Sequence, residues 1–173
     1  MAVVECNEVR PAGPRLDLAL ACLRKDAFEQ AVKQCTELGV DRFVPFASDK
    51  SHLSDYGKGF FDRLGRVTLA AMKQSFRTTL PRLEPVCQFE DMVAQSSESG
   101  AVVVGDSDGG ALEPCAAVGA ITIVVGPEGG LNAAEREVLS SAGAEFVSAS
   151  THRLRSETSA AALTTLVLAS LRA

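Results

Sequence analysis

One stretch, Ile121 to Thr158, limits the folds open to this chain more than any other. Ile121, Thr122, Ile123 and Val124 favour an extended strand, which breaks at Gly126-Pro127-Glu128-Gly129-Gly130. Asn132 followed three residues later by Glu135 has the form of a capping box, so a helix should begin at Ala133. Glycines between a buried strand and a helix start let backbone approach a ligand closely, with N–H groups facing it. A second strand, from Glu145 to Ala149, leads into a polar turn carrying Arg153, Arg155 and Glu157. Two strand ends, each followed by such a loop, are what a parallel α/β sheet offers at its binding edge.

The remainder of the chain supplies matching units. Leu16 to Leu23 suits a buried strand. A helix from Ala27 to Leu38 follows, with Asp26 as N-cap and Gly39 as the left-handed stop. Arg42 to Ala47 gives another strand, where Pro45 indicates an edge or a distortion. A long helix covers roughly Gly59 to Phe76, and Leu83 to Val86 is a short extended piece. Gln88 to Gly100 begins as a helix and ends as a serine-rich loop. Ala101 to Val104 is a strand, with Gly105 to Gly110 as its loop. The final helix, from about Glu157 to Leu171, is apolar nearly all round, so it should be central to the core or covered by a second subunit. Strands alternating with helices at this spacing predict one α/β domain: a mostly parallel sheet with helices on both faces, over residues 16–173. Residues 1–15 read as a tail or the end of a linker.

Composition narrows the function. With no Trp and one Tyr, a surface of interleaved stacking aromatics is disfavoured. Five cysteines, at 6, 22, 35, 87 and 115, are scattered and contain no CxxC pair, which predicts reduced core thiols in a cytoplasmic protein. His52 and His152 have no metal-ligand spacing around them, so no metal is expected. The start of the chain does not resemble a secretory signal, and Ala160 to Leu171 is well short of the roughly 20 residues that span a bilayer. Net charge is −5, yet the span from Lys50 to Arg82 carries seven basic residues against Asp55 and Asp62. A local encounter with a polyanion is therefore open, as is a plain solvated helix face.

The set Gly126-Pro127-Glu128-Gly129-Gly130 and Leu154-Arg155-x-Glu157-Thr158 resembles the uridine N3-methyltransferase family acting on 16S ribosomal RNA, within the SPOUT superfamily. Thr36-Glu37-Leu38-Gly39-Val40, Pro45 and Lys73-Gln74-Ser75-x-Arg77 add to the likeness. The resemblance implies a C-terminal trefoil knot, S-adenosylmethionine held bent within it, and a homodimer with active sites at the interface. The chain departs from the family in having Ala149-Ser150 for the usual Leu-Gly, and Phe76 where a small residue is common. About fifteen residues precede its first strand, where the family carries a PUA-type β-barrel.

The resemblance also implies residue roles. Uridine N3 sits between two carbonyls, so its deprotonation places charge on both oxygens, and a guanidinium can stabilise that charge through two donors. Arg155 takes this role, while Glu157 orients Arg155 or accepts the proton. The loop Gly126, Pro127, Glu128, Gly129 and Gly130 surrounds the cofactor. Val104 and Gly105 form a second wall, and Ser148, Ala149, Ser150 and Leu154, with Thr158, a third. Gln74 and Arg77 hold RNA across the dimer, and Lys50, Lys58 and Lys73 contact phosphates. Two other classes stay open: a dinucleotide-binding oxidoreductase, for which there is no GxGxxG after the first strand and no P-loop lysine, and a non-catalytic dimeric RNA-binding or ribosome-assembly module.

Overall fold

The computed structural model describes residues 13–52, 56–113 and 119–171. In chain order the elements are β1 (Arg15–Ala21), α1 (Lys25–Leu38), β2 (Arg42–Ala47), α2 (Lys58–Gln74), β3 (Arg82–Leu83), β4 (Cys87–Gln88) and α3 (Phe89–Ser99). β5 (Gly100–Gly110), β6 (Ala120–Val125), α4 (Ala133–Ser141), β7 (Glu145–Val147) and α5 (Ser156–Ser170) complete it. All the pairings are parallel, in the order β3-β2-β1-β6-β5-β7, with β4 also on β2.

Both faces of the sheet are covered because its central strands are apolar on both sides. Leu16, Leu18 and Leu20 of β1, with Ile121 and Ile123 of β6, meet α1, α2 and α5 through Phe28, Leu64 and Leu163. Ala19, Val104 and Val124 point the other way, to Met92 of α3 and Leu139 of α4. α1 lies between α2 and α5. The last helix is therefore a core element along Ala160, Leu163 and Val167, although Leu166 remains exposed.

Several boundaries depart from the expectation. α1 starts at Lys25 with Arg24 as an N-cap that makes no side-chain bond, so Asp26 lies in the first turn and not at the cap. There its charge complements the helix dipole. α3 runs through the serines, because the Ser96 and Ser97 hydroxyls donate to the carbonyls of Met92 and Val93 and leave the helix intact. β2 has neighbours on both sides, but its outer ladder is broken: β3 reaches Phe43 and β4 resumes at Phe46. Pro45 sits opposite that break, where no partner needs its missing N–H. β5 continues through the segment expected as a loop, pairing again with β7 at Gly110 after a register shift.

Candidate active site

Three neighbouring strands come level with one another at one edge of the sheet. Gly105 of β5 is in register with Val125 of β6 and with Val147 of β7. Beyond those positions the chain forms three walls: the β5 extension Asp106–Gly110, the loop 126–132, and the loop 148–155. Between them lies a cleft of about 470 Å³.

Each wall is set by local chemistry. Gly130 N–H donates to the Pro127 carbonyl at 2.8 Å, closing a turn in which Gly130 has φ +70, a conformation that favours glycine. Gly109 runs so close to β7 that a Cβ there would stand 2.6 Å from Val147 N. The walls are also tied together. Arg153 donates to the Glu128 carbonyl at 2.9 Å, and the Ser156 hydroxyl donates to the Gly126 carbonyl at 3.0 Å. Ser148 O–H donates to the Ser150 carbonyl, and Ser148 N–H to that of Gly110.

The helix end that opens onto the cleft is that of α5, not α4. The first turn of α4 is satisfied by its capping box: Glu135 N–H donates to Asn132 Oδ1, and Asn132 N–H to Glu135 Oε2. Glu135 also accepts from Asp49 N–H at 3.0 Å, which ties the loop after β2 to this helix. α5 has no side-chain cap, and its Ser156 and Ser159 line the cleft, so its free N–H groups lie beside the ligand space.

Of the residues expected at a cofactor, Gly105, Gly126, Pro127, Glu128 and Gly130 line the cleft. So do Ser148, Ala149, Ser150 and Leu154. Val104, Gly129 and Thr158 do not. Val104 is wholly buried on the α3–α4 face, as strand alternation from Gly105 requires. Gly129 faces Lys50: a Cβ there would meet Lys50 Cδ at 2.8 Å, and Lys50 Nζ donates to the Gly129 carbonyl at 3.0 Å. Thr158 is exposed on α5, outside the lining.

Arg155 is the N-cap of α5, and its side chain is 82% exposed at the cleft mouth. Glu157 stands behind it, nearly buried, with 3.9 Å between carboxylate and guanidinium. Gln74, Lys73 and Arg77 lie at the other edge of the sheet, where strands begin. Arg77 is engaged there: it donates to the Thr36 carbonyl at 2.8 Å and the Val40 carbonyl at 2.7 Å, and pairs with Asp41 at 3.1 Å. Lys58 is exposed at the start of α2.

Sequence reading missed several lining groups. Asp106 pairs with Arg136, whose guanidinium lies 5.1 Å from the Phe146 ring centre. Asp108, His152 and Arg153 also line the cleft. Asp106 and Asp108 directly follow AVVVG, so a strand-end reading could have found them. Arg136 carries no local signal. The cleft is thus lined by both signs: Asp106 with its partner Arg136, Asp108 and Glu128, and Arg153 and Arg155 on the loop before α5. Among the described residues no cluster of metal-binding side chains occurs, and no helix is long and apolar enough to cross a membrane.

The chain is similar to known proteins in sequence and in fold. Ribosomal RNA small subunit methyltransferase E of Aquifex aeolicus is 29% identical over 140 residues, covering 79% of this chain and 60% of the relative. The protein of the same name from Bacillus subtilis is 30% identical over 146 residues, covering 77% and 57%. The chain therefore spans about 60% of the length of these curated relatives. A solved structure of ribosomal RNA small subunit methyltransferase E from Neisseria gonorrhoeae, bound to S-adenosyl methionine, has the same fold. It is 22% identical with a TM-score of 0.83, covering 90% of this chain and 66% of that one. A family model described as the RNA methyltransferase domain matches residues 11–168, and the chain belongs to that family.

Proposed function

We propose that this chain transfers a methyl group from S-adenosylmethionine to N3 of a uridine in 16S ribosomal RNA of the small subunit, as a cytoplasmic homodimer with a trefoil knot in its C-terminal third. The observation that carries the reading is an exposed guanidinium at the mouth of a cleft walled by three strand-end loops. Family membership and the names of the relatives support the substrate class.

The residues present fit the cofactor. A volume of about 470 Å³ suits a nucleoside-sized ligand. At Gly130 a Cβ would meet nothing within 4 Å, so the glycine leaves open space at the lining. Carboxylates and guanidiniums both line the cleft, which suits a ligand that bears both signs. When bound, S-adenosylmethionine supplies an electrophilic methyl group on a sulfonium.

The protein's own contribution is positioning and electrostatics. Backbone groups of Gly126, Pro127, Glu128 and Gly130, and of the loop 148–154, hold the ligand. Arg155 stabilises the charge that spreads over both uracil carbonyls as N3 loses its proton. Glu157 positions that guanidinium from behind. Nothing else bonds Arg155's side chain among the described residues, which leaves its donors available to the substrate.

The test is transfer of labelled methyl to small subunits that lack the modification. Arg155→Ala should lower turnover by a factor on the order of 100 to 1,000, the usual cost of an oxyanion donor. Its affinity for S-adenosylmethionine and its Tm should hold, because an exposed pair of this kind adds at most about 1 kcal/mol. Unchanged turnover would remove Arg155 from the mechanism, and methylation at another base position would remove the N3 assignment.

A further inference from the structure

α2 ends in a geometry normally left to glycine. Phe76 N–H donates to the Lys73 carbonyl at 3.3 Å, and Arg77 N–H to the Met72 carbonyl at 3.0 Å. This bond pair is a Schellman stop, and it requires a left-handed residue at the turn. Phe76 fills that place with φ +57 and is the one non-glycine with positive φ among the described residues. A phenylalanine adopts this backbone only under strain. Its ring packs on almost nothing, since Phe76 is 92% exposed. The strain opposes folding and the wetted ring contributes nothing to it, so stability does not explain the residue.

The next residue makes the turn rigid. Arg77 is clamped to the Thr36 and Val40 carbonyls and to Asp41, with its side chain only 13% exposed. The ring therefore projects from a fixed turn. Exposed Lys73 lies one turn back along α2 from Phe76, and exposed Arg66 shares the Lys73 face two turns, or about 10 Å, further back. Neither has an ion-pair partner among the described residues. Within a chain of net charge −5, the basic residues gather in this segment.

We infer that Phe76 is a base-stacking anchor for an unpaired nucleotide of the RNA, with Lys73 and Arg66 on the adjoining phosphates; this rests on the RNA methyltransferase reading above. Every base offers a π face, and flanking cations follow the backbone. A two-fold contact with a second copy would instead set Lys73 and Arg66 against themselves, which is repulsive. One fixed ring serves one base, so the scarcity of aromatics is no obstacle. The patch lies at the strand-start edge of the sheet, away from the cleft. The nucleotide it holds is therefore not the one methylated in the same chain's cleft, and Phe76 acts on RNA affinity and not on the chemical step.

Phe76→Gly is the decisive variant because glycine relieves the backbone instead of disturbing it. Tm should rise by a few degrees. Affinity for a short fluorescent single-stranded RNA, read by anisotropy at fixed salt, should fall about tenfold. Phe76→Trp should recover that affinity. Affinity for S-adenosylmethionine should not change, and methyl transfer should show a raised KM for RNA with kcat retained. RNA affinity and KM equal to wild type would overturn the stacking role while leaving the methyltransferase reading intact. A wild-type protein that neither binds RNA nor transfers methyl would sink both. A change in sedimenting mass with RNA affinity untouched would make the ring a self-association contact and also overturn the inference.

Discussion

At the scale of single residues, the difference between the proposed ligand contact at Arg155 and a scaffold contact lies in what a charged group already holds. Arg77 and Arg155 both flank helix ends and look alike in sequence. Arg77 satisfies two carbonyls at the end of α1 and a carboxylate, and burial pushes its pKa down while Asp41 opposes the shift. Replacing it with Met leaves those acceptors unpaired, so Arg77→Met should cost about 3 kcal/mol in urea unfolding while leaving cofactor affinity unchanged. The cysteines follow the same logic of burial. Cys22 and Cys35 are pushed up to about 12, chiefly by desolvation. Neither should react with a maleimide at pH 8 until the protein unfolds. A raised folded pKa means the protonated thiol favours the native state. That contribution is complete below about pH 9 and declines as pH rises toward 12, so alkaline titration should lower Tm within that window. Cys6 and Cys115 lie outside the described residues.

At the scale of elements, the sequence was most informative where one local signal decided the outcome. The capping box Asn132–Glu135 placed the start of α4 at Ala133, and Gly39 placed the end of α1. Where neighbours decide, local signals misled. Gly105 to Gly110 has the composition of a loop, yet it is held as strand through its backbone pairing with β7. The serines of α3 stay helical because their hydroxyls turn back on the preceding turn. Of the cleft lining, Arg155 and the glycine-rich loop, apart from Gly129, were legible as motifs. Arg136 was not, because its partner Asp106 is thirty residues distant and only the fold brings them together. Asn132→Ala should cost about 1 kcal/mol, the usual value of a lost N-cap. Glu135→Ala should cost more, because Asp49 N–H loses its acceptor as well. Equal costs, measured by chemical denaturation, would show that the bond to Asp49 adds nothing.

At the scale of the whole molecule, the two edges of the sheet have divided roles. The edge where strands end carries the cleft, and apart from Arg136 with Asp106 its ion pairs among the described residues are long and partly exposed, such as Arg155 with Glu157 and Arg24 with Asp26. The edge where β1 and β2 begin is stapled by charge. Asp17 is fully buried in β1 and accepts from both Arg15, at 2.9 Å, and Arg42, at 2.7 Å. Asp41 continues the network to Leu16 N–H and Arg77. A buried carboxylate between two guanidiniums stabilises only while all partners remain, since removing one leaves the others poorly compensated. Asp17→Ala should therefore lose about 3 kcal/mol, which in a domain of this size is roughly 6–12 °C in Tm. Replacing Asp17 with Leu together with Arg42 by Met should regain much of that loss, because an apolar pair of similar volume needs no compensation. Binding of S-adenosylmethionine, titrated well below the lowered Tm, should be the same in all these variants. The cleft is built from β5, β6 and β7, and the staple acts on β1 and β2. A fall in cofactor affinity in the folded Asp17→Ala protein would mean that the edges communicate through the sheet and are not independent.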